Sequence, residues 1–498
     1  MEQSEISKDA SGVARIFRTV PPVLQDYYPQ LLILLHVFFW TLIPTVTQHN
    51  APLDVLEGFA WGHEWQWGTY KHPPLQSWLL EITGTVFGTS GIGYFGLAAL
   101  CSGIALWAVY KTSTILTDKT TALLATALTE SILYFTFLST EFNHNSLQLM
   151  LWALAGYAFV SALVSGKTRS WIALGIIFAA GFYAKYFMAL CGVSFAGYLL
   201  IDRESRRWLI RPQPYLALVI CGLLLTPHLM WLQEFHYLPF TYASSRLVHT
   251  NGIFRSAVSV LSFAGAQIAA LIPAIFLGRF LVYPFESSKN THRTLIRWLA
   301  FAPVVLAIVP SFISGEGLRS MWGVPILTFV PLWFVTRFRI HAGKIHSFAV
   351  AWIGCFLLVL TGYAGNQMFG ADLGFKPTRG HYPGREEAEY FYGLWKQQTT
   401  KPLIYVVGDE WESCNVAFYS PMRPRPHVWI YGSESVSPWV HEEDVLKQGA
   451  VIVWTAEDPK PPIWVDVFLS RFPGTTIQPN HRFNYDVTVG SAILLPKP

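Results

Sequence analysis

Residues 47–78, TQHNAPLDVLEGFAWGHEWQWGTYKHPPLQSW, form a polar stretch that follows the first long apolar run of the chain. Its ionisable residues include Asp54, Glu57, His63, Glu64, Lys71 and His72. The segments around this stretch are apolar, and ionisable groups beside a bilayer are costly unless they have a partner or a function. We therefore expect the stretch to be a loop at the membrane surface whose side chains take part in a reaction.

The composition of the chain is that of an integral membrane protein. The chain has 498 residues, of which 52% are hydrophobic and 13% charged, and its mean hydropathy is +0.35. Soluble domains are about one quarter charged. The formal net charge of +4 is small and dispersed, so it does not indicate a nucleic-acid partner. The N-terminus lacks a cleavable signal peptide, and the first apolar run is typical of an uncleaved anchor.

Eleven apolar runs are long enough to cross, or nearly cross, a bilayer. They lie at about 28–46, 91–110, 120–138, 146–165, 171–183, 186–201, 213–232, 256–278, 298–313, 320–336 and 347–366. The interrupted apolar segment 75–88 is interpreted as a helix that lies at the interface. The sequence thus predicts a mainly α, polytopic membrane helical bundle in residues 1–370, with the external loop at about 47–78.

The distribution of Lys and Arg predicts the orientation of the bundle. With a cytoplasmic N-terminus, the inside segments hold eighteen of these residues and the outside loops hold five. The five are Lys71, Lys185, Arg246, Arg255 and Arg319. Each could be an interfacial residue that extends to lipid headgroups. Taken together, they favour an anion site at the outer surface, since Lys and Arg bind phosphate.

The composition changes after about residue 370, where a small soluble α/β domain is predicted over residues 371–498. Strands are predicted at 402–408, 428–431, 449–454 and 487–495, and helices at about 385–398, 411–419, 439–447 and 461–471. We find no nucleotide-binding or nucleophile motif there, so the domain is expected to bind, cover or orient something. The acidic GDEW at 408–411 is interpreted as the start of a helix.

Several segments carry a family resemblance. They are Asp54, EWQWGTY at 64–70, KHPPLQSW at 71–78, TEFNHNSLQLMLWAL at 140–154, GFYAKYF at 181–187, TPHLMWL at 226–232, Arg246, GLRSMWGVP at 317–325 and VVGDEWESCNVAFYSP at 406–421. Their order and membrane placement resemble the GT-C type integral membrane glycosyltransferases, and most closely the bacterial branch of glycosyltransferase family 39. That branch includes aminoarabinose transferases, rhizobial galacturonosyltransferases and protein O-mannosyltransferases.

The resemblance implies a GT-C fold and an inverting sugar transfer from a polyprenyl-phosphate donor to a lipid or glycan acceptor. By similarity, Asp54 is the candidate general base that takes the proton of the acceptor. The alternative for Asp54 is a helix N-cap, with Glu57 as its partner at the third helical position. Glu57 is also a candidate substrate contact or metal ligand.

The segment KHPP departs from the aminoarabinose transferases, which generally carry an acidic residue and then Lys before the two prolines. Here Lys71 and His72 occupy those places, and both are candidate cations for the donor phosphate. The missing acidic residue puts a metal requirement in doubt. A divalent metal stays open, with Asp54, Glu57 and His72 as the candidate ligands, although their spacing matches no zinc pattern.

Further donor-phosphate candidates are Lys185, which matches a basic residue of the family, Arg246 and Arg319. The remaining substrate-binding candidates are Tyr70, Asn143, His144 and His228. Each has an ordinary structural alternative. Tyr70 could belong to an interfacial aromatic belt, Asn143 and His144 could serve a turn, and His228 could be a hydrogen-bonded core histidine.

The leading hypothesis is a transferase of the bacterial inner membrane that acts at the periplasmic face and modifies a lipid A-like lipid or another glycan. Its N-terminus would be cytoplasmic and its α/β domain periplasmic, with membrane lipids around the bundle. The alternatives are a protein O-glycosyltransferase of the same fold, a flippase or transporter for a lipid-linked sugar, and an inactive relative that binds a partner. A transporter is less favoured because we detect no internal repeat and the candidate charges cluster at one surface.

Overall fold

The computed structural model describes residues 27–245, 253–287, 290–428, 436–437, 439–458 and 460–497. The chain divides into two compact units. The first comprises Met1–Leu42, Gly96–Met230 and Ala243–Tyr363, and the second comprises Ile43–Phe95, Trp231–Tyr242 and Ala364–Pro498. The second unit therefore contains the polar stretch together with the C-terminal region. The domain boundary near residue 370 stays a prediction.

The described part of the chain is mainly helical. In chain order its α-helices are α1 (Tyr28–Thr47), α2 (Leu53–Gly62), α3 (Leu75–Phe87), α4 (Gly91–Leu116), α5 (Lys119–Glu130), α6 (His144–Ser165), α7 (Thr168–Ala184), α8 (Met188–Ile201), α9 (Pro212–Glu234), α10 (Leu238–Ser245), α11 (Ile253–Leu281), α12 (Arg293–Ser314), α13 (Val330–Arg337), α14 (Ile345–Phe369), α15 (Gly384–Gln398), α16 (Glu410–Tyr419), α17 (Glu442–Gln448) and α18 (Ile463–Arg471).

Among the residues that the structure describes, seven of the eleven predicted spans are helices that are long and apolar enough to cross a membrane. They are α1, α4, α6, α9, α11, α12 and α14. Two more, α7 and α8, are apolar but shorter. The runs at 120–138 and 320–336 are not continuous helices. The first ends as helix α5 at Glu130, and the second is a short 3-10 helix, a series of turns and then α13. The count of eleven spans stays a prediction.

The two broken runs pack in the first unit, where their irregular backbone finds partners. Leu133 donates its backbone N–H to the carbonyl of Ala270 on α11, at 3.0 Å. The hydroxyl of Tyr134 donates to Gln267 on α11 at 2.9 Å, and Gln267 in turn donates to the carbonyl of Ser320 at 3.1 Å. Non-helical backbone at membrane depth requires such satisfaction by protein groups. Helix α11 therefore supports both breaks.

A buried polar contact joins three helices of the first unit. His36 on α1 and Glu130 at the end of α5 are both buried, and their Nδ1 and Oε1 atoms lie 3.1 Å apart. Trp352 on α14 donates its indole N–H to the other oxygen of Glu130 at 3.1 Å. Buried carboxylates are tolerated when they are paired in this way, so this contact fixes α1, α5 and α14 to one another.

In the second unit, α2 and α3 form a closely packed helical pair. A Cβ atom added to Gly62 would lie 2.4 Å from the carbonyl oxygen of Ser77 on α3, and one added to Gly58 would lie 2.3 Å from the side chain of Leu80. Small residues one turn apart let two helix backbones approach. The segment 75–88, predicted as a helix at the interface, is helical as α3, and its membrane position stays a prediction.

The C-terminal region is an α/β domain around a five-stranded mixed sheet. Its strands are β3 (Tyr405–Gly408), β4 (Arg425–Val428), β5 (Ala450–Thr455), β6 (Thr476–Arg482) and β7 (Thr488–Leu494), whereas β1 (Val282–Ser287) and β2 (Phe338–Ile340) pair in the first unit. The strand order is β4-β3-β5-β7-β6, with β3 parallel to β4 and β5, and β7 antiparallel to β5 and β6.

The predicted elements of this domain are largely observed. The predicted strands at 402–408, 449–454 and 487–495 correspond to β3, β5 and β7, and the predicted helices to α15, α16, α17 and α18. The strand β4 shares only Val428 with the predicted strand at 428–431. Residues 429–431 of the predicted strand at 428–431 lie outside the described residues. The edge strand β6 was not predicted, because TIQPNHR is polar, largely exposed and contains Pro479.

Buried carboxyl groups make the stability of this domain depend on pH. Glu387 on α15 is fully buried, and this burial raises the pKa of Glu387 well above its usual range, with the nearby Asp409 raising it further. Because the folded-state pKa is raised, the contribution of Glu387 is fully present below its unfolded pKa of about 4.3 and is lost as pH rises towards the folded value.

We therefore expect Glu387→Gln to stabilise the protein at pH 8 by about 1–2 kcal/mol and to have little effect near pH 4.5. The neutral amide keeps the shape of the protonated acid and removes the cost of burying a charge. Thermal unfolding of the full chain in detergent across this pH range measures the difference. A variant that is destabilised equally at both pH values would contradict the assignment.

Candidate functional site

Asp54 lies in the first turn of α2. The N-cap of α2 is Pro52, so Asp54 is the second helical residue, and the alternative prediction that it is the N-cap is wrong. Proline fixes a φ value that suits a helix start. A carboxylate in the first turn interacts favourably with the helix dipole. The amide of Gln76 on α3 donates to the backbone carbonyl of Asp54 at 2.7 Å, which fixes this turn against the neighbouring helix.

The ammonium of Lys71 lies between two carboxylates. Its Nζ atom is 2.6 Å from Oε1 of Glu57 on α2 and 2.7 Å from Oε1 of Glu410 on α16. The exposed fractions of the three side chains are 10% for Lys71, 6% for Glu57 and 18% for Glu410. The hydroxyl of Tyr70 also donates to Glu410. We call Glu57, Lys71 and Glu410 the lysine bracket.

Three aromatic rings surround the lysine bracket. The Nζ atom of Lys71 is 5.3 Å from the ring centroid of Tyr70, 5.8 Å from that of Tyr242 and 5.9 Å from that of Trp61. Such rings attract a cation through their negative faces. Lys71 is thus paired with charge and enclosed by π-systems in the second unit.

The charge of the bracket depends on Glu410. Burial raises the pKa of Glu410 well above its usual range, and the neighbouring carboxylates Glu57 and Asp54 raise it further. Two carboxylates near one ammonium leave an excess of negative charge, and this repulsion adds to the effect of burial on the pKa of Glu410.

The residues present do not fit a divalent metal at this point. No group of three or more His, Cys, Asp or Glu side chains in the described ranges could hold a metal ion. Among the candidate ligands Asp54, Glu57 and His72, the carboxylate of Glu57 already has a cation, because Lys71 lies 2.6 Å from it. The ammonium of Lys71 occupies the position between Glu57 and Glu410 that a metal bridging these two residues would need.

Glu410 is the member of the site that the sequence analysis missed. The acidic GDEW was interpreted as a helix start, and this is right for Asp409, which is the N-cap of α16 and accepts from the backbone N–H groups of Trp411 and Glu412. The next residue, Glu410, instead reaches Lys71. Two adjacent acids after a strand were the available signal, but sequence spacing does not show that the second of them meets residue 71.

Two further ion pairs join the α2–α3 pair to the α/β domain. Arg423 contacts both carboxylate oxygens of Glu81 on α3, at 3.3 and 2.7 Å. Arg425 on β4 is 3.0 Å from Glu64, which follows α2. With the lysine bracket, these pairs connect the segment from α2 to α3 to the α/β domain at three points within the second unit.

His72 closes a tight turn in the same stretch. Thr69 donates its backbone N–H to the carbonyl of His72 at 2.9 Å, and the backbone N–H of His72 donates to the hydroxyl of Thr69 at 3.1 Å. Pro73 and Pro74 follow and lead into α3. The turn orders the backbone between the lysine bracket and α3.

The other predicted site residues that the structure describes lie in the first unit. Asn143 is the N-cap of α6 and accepts from the N–H groups of Asn145 and Ser146. His144 is buried, with Nδ1 3.0 Å from the carbonyl of Ala184. Lys185 follows α7 and donates to Oδ1 of Asn145 at 2.7 Å. The end of α7 and the start of α6 therefore meet at these side chains.

The remaining candidates have separate surroundings. His228 on α9 is buried, and its Nε2 lies 2.9 Å from the hydroxyl of Tyr186. Arg319 is exposed and precedes the 3-10 helix Ser320–Gly323. Arg246 lies outside the described residues. The roles proposed for all these residues stay predictions.

Comparisons with known proteins support the resemblance. A family model described as "Dolichyl-phosphate-mannose-protein mannosyltransferase" matches residues 71–231. The lipopolysaccharide core galacturonosyltransferase RgtB of Rhizobium johnstonii is 24% identical over 324 residues, which are 60% of this chain and 63% of that protein. RgtA of the same organism is 23% identical over 314 residues, covering 59% of this chain and 61% of that protein. The matches thus span about six tenths of the length of these relatives.

Solved structures share the fold. ArnT from Cupriavidus metallidurans bound to undecaprenyl phosphate has a TM-score of 0.64 at 12% identity, covering 93% of this chain and 97% of that one. Its apo state gives a TM-score of 0.58. The predicted GT-C fold and the resemblance to GT-C type membrane glycosyltransferases are confirmed. These matches and the apolar helices support a multi-pass protein of the bacterial inner membrane.

The Arg423–Glu81 pair should contribute to stability because both side chains are largely buried and the contact is bidentate. We expect Arg423→Gln to lower the free energy of unfolding by about 1–2 kcal/mol. The matched control is Arg482→Gln, whose partner Asp486 and own side chain are 83% and 72% exposed and whose loss should be nearly neutral. Equal thermal unfolding of the two variants would contradict this.

Proposed function

We propose that this chain is an inverting glycosyltransferase. It would move a sugar from a polyprenyl-phosphate donor to a lipid A-like lipid or glycan acceptor at the periplasmic face of the inner membrane. In this proposal the N-terminus is cytoplasmic and the α/β domain is periplasmic. A protein acceptor is the second candidate, favoured by the description of the family model that matches residues 71–231.

The proposal is supported by the names of similar proteins. Two relatives are called lipopolysaccharide core galacturonosyltransferases. One structure with the same fold holds undecaprenyl phosphate, a polyprenyl phosphate. The relatives favour a glycolipid acceptor over a protein, because the acceptor in their names is lipopolysaccharide core. We carry donor and acceptor classes to this chain as proposals on these grounds.

The observation that carries the proposal is the position of Asp54. Asp54 is the second residue of α2, and Glu57, three residues later, contacts the partly buried ammonium of Lys71 in the lysine bracket. A general base must be held in a fixed position to accept a proton in the transition state. The first turn of α2, held by Pro52, Gln76 and Glu57, meets that requirement.

The proposed reaction uses Asp54 to remove the proton of the acceptor hydroxyl as its oxygen attacks the anomeric carbon. The bond between that carbon and the phosphate oxygen breaks, the configuration inverts, and polyprenyl phosphate leaves with the bonding electrons. Negative charge therefore grows on the phosphate. Fixed cations at that point stabilise the transition state.

The proposed contacts of the donor phosphate are Lys185, Arg246 and Arg319, with Lys71 and His72 as further candidates. Lys185 is the first candidate because it matches a basic residue of the family, and its ammonium donates to Oδ1 of Asn145 at 2.7 Å. Lys71 already faces two carboxylates.

Other polar groups are proposed to hold the sugar and the lipid head. The proposed substrate contacts are Glu57, Tyr70, Asn143, His144 and His228. Of these, Glu57 is a member of the lysine bracket and Tyr70 donates to Glu410, so both would act through the bracket. His228 and Tyr186 form a buried hydrogen-bonded pair that offers both a donor and an acceptor.

The replacement Asp54→Asn should remove the base and keep the shape of the side chain. We expect transfer activity to fall by about 10²–10⁴-fold, the usual contribution of general base catalysis. The assay supplies purified protein with a polyprenyl-phosphate sugar and a glycolipid acceptor, and follows the release of polyprenyl phosphate. Wild-type turnover in a well-folded Asp54→Asn protein would eliminate Asp54 as the base.

The matched control for this variant is Asp466→Asn, an exposed carboxylate in the first turn of α18. It should keep wild-type turnover and thermal stability. Sugar movement across sealed vesicles without a covalent product would replace the transferase proposal with a transporter.

Lys185→Gln should weaken the interaction with the donor phosphate and retain a partner for Asn145. We expect kcat/KM for the donor to fall by about 10–100-fold, since hydrogen bonds to charged groups are worth about 1.5–3 kcal/mol. The control is Lys167→Gln. Lys167 is exposed and immediately precedes the first residue of α7, and the variant should keep wild-type kinetics. An unchanged kcat/KM for Lys185→Gln would remove Lys185 from the donor site.

A further inference from the structure

The lysine bracket joins three separate parts of the second unit. Glu57 belongs to α2, Lys71 to the loop before α3, and Glu410 to the first residue of α16 in the α/β domain. Glu410 and Lys71 are 339 positions apart in the chain. Their contact is therefore a tertiary link between the polar stretch and the domain that follows the bundle in sequence.

We propose that Glu410 is a positioning residue: together with Glu57 it holds the Lys71 ammonium as a fixed internal cation, and this bracket sets the position of α2 and hence of Asp54. The part that concerns Asp54 rests on the proposed function. The α/β domain thus supplies one side chain to the site.

The geometry favours a fixed cation over a phosphate ligand. An ammonium has three N–H donors, and two of them are directed to carboxylates at 2.6 and 2.7 Å. The rings of Trp61, Tyr70 and Tyr242 lie around the same atom. A phosphate that approached Lys71 would meet the repulsion of two neighbouring carboxyl groups unless these were protonated.

Because Lys71 is largely removed from water, the loss of one of its partners is costly. Taking an ammonium and a carboxylate out of water costs several kcal/mol per ion unless they are paired. Removing Glu410 leaves Lys71 with one carboxylate instead of two and leaves the hydroxyl of Tyr70 without its acceptor. The loop around Lys71 should then open more often.

The link from the bracket to Asp54 is short. Asp54 and Glu57 are three residues apart on α2, so they lie on neighbouring positions of one helix face. Helix α2 packs closely on α3 at Gly58 and Gly62, so we expect its residues to move together. A change at Glu57 is therefore transmitted to the first turn, where Asp54 lies.

The test compares full-length wild-type protein with Glu410→Ala and Glu410→Gln in detergent. Without substrate, an amine-reactive acylating reagent is applied, and labelling of Lys71 is measured by mass spectrometry with exposed Lys396 as the internal reference. We expect Lys71 to be labelled roughly 10-fold faster in Glu410→Ala, as expected for the loss of one charged hydrogen bond. Glu410→Gln keeps an acceptor oxygen and should lie between the two.

The split between kcat and KM distinguishes a positioning residue from a residue that only stabilises the fold. In Glu410→Ala we expect kcat to fall by about 10-fold while the KM for the donor changes by less than about twofold, because only positioning is lost. A fall of kcat with partial recovery in Glu410→Gln supports the proposal. Unchanged Lys71 labelling in both variants would overturn it.

A second outcome also counts against the proposal. If Glu410→Ala binds undecaprenyl phosphate about 10-fold more tightly, then Lys71 is a phosphate ligand that Glu410 restrains. If the wild-type protein transfers no sugar, the proposed function fails, but the labelling comparison still decides whether the bracket exists. Arg423→Gln is the matched control, since it breaks another tie to the α/β domain and should leave Lys71 labelling unchanged.

Discussion

The second unit of this protein depends on one interaction, the ammonium of Lys71 between the carboxylates of Glu57 and Glu410. Each of these charges would be costly to bury alone, and each becomes tolerable through the other two. Because the three residues come from a helix, a loop and a separate domain, satisfying their charges requires all three segments to be in place. A local electrostatic requirement therefore determines the arrangement of a much larger region.

The first unit follows a different constraint, which is that backbone groups in an apolar environment must find partners within the protein. Two of its apolar segments are interrupted, and the atoms released by the interruption bond to α11 through Leu133, Tyr134 and Gln267. Breaks of this kind are found where a membrane protein lines a cavity or is buried in protein. Parts of the irregular backbone therefore have hydrogen-bond partners inside the protein.

The sequence was sufficient for much of the fold. Hydrophobic periodicity and composition predicted α15–α18 and the strands β3, β5 and β7, because those segments have clear apolar faces. Hydropathy alone did not detect that the runs at 120–138 and 320–336 are broken, since an apolar turn and an apolar helix have the same composition. Strand β6 was missed because an exposed edge strand carries no hydrophobic alternation.

The site was predictable only in part. Clustered charges in an apolar setting identified the polar stretch, and Asp54 came from the family resemblance rather than from spacing. Glu410 was not predicted because its importance arises from a contact across 339 positions, which no local pattern encodes. Lys71 and His72 were grouped by chemistry as phosphate ligands, yet Lys71 is enclosed by carboxylates and aromatic rings, a difference that only the tertiary structure reveals.

Sugar transfer from a lipid-linked donor to a glycolipid acceptor is best examined by mass spectrometry of envelope glycolipids from cells with and without this protein. We expect one glycolipid species to lose the mass of a single sugar residue in the deletion strain, and the wild-type gene to restore it. Identical glycolipid masses in the two strains, with the protein expressed in the membrane of the wild-type strain, would exclude a glycolipid acceptor.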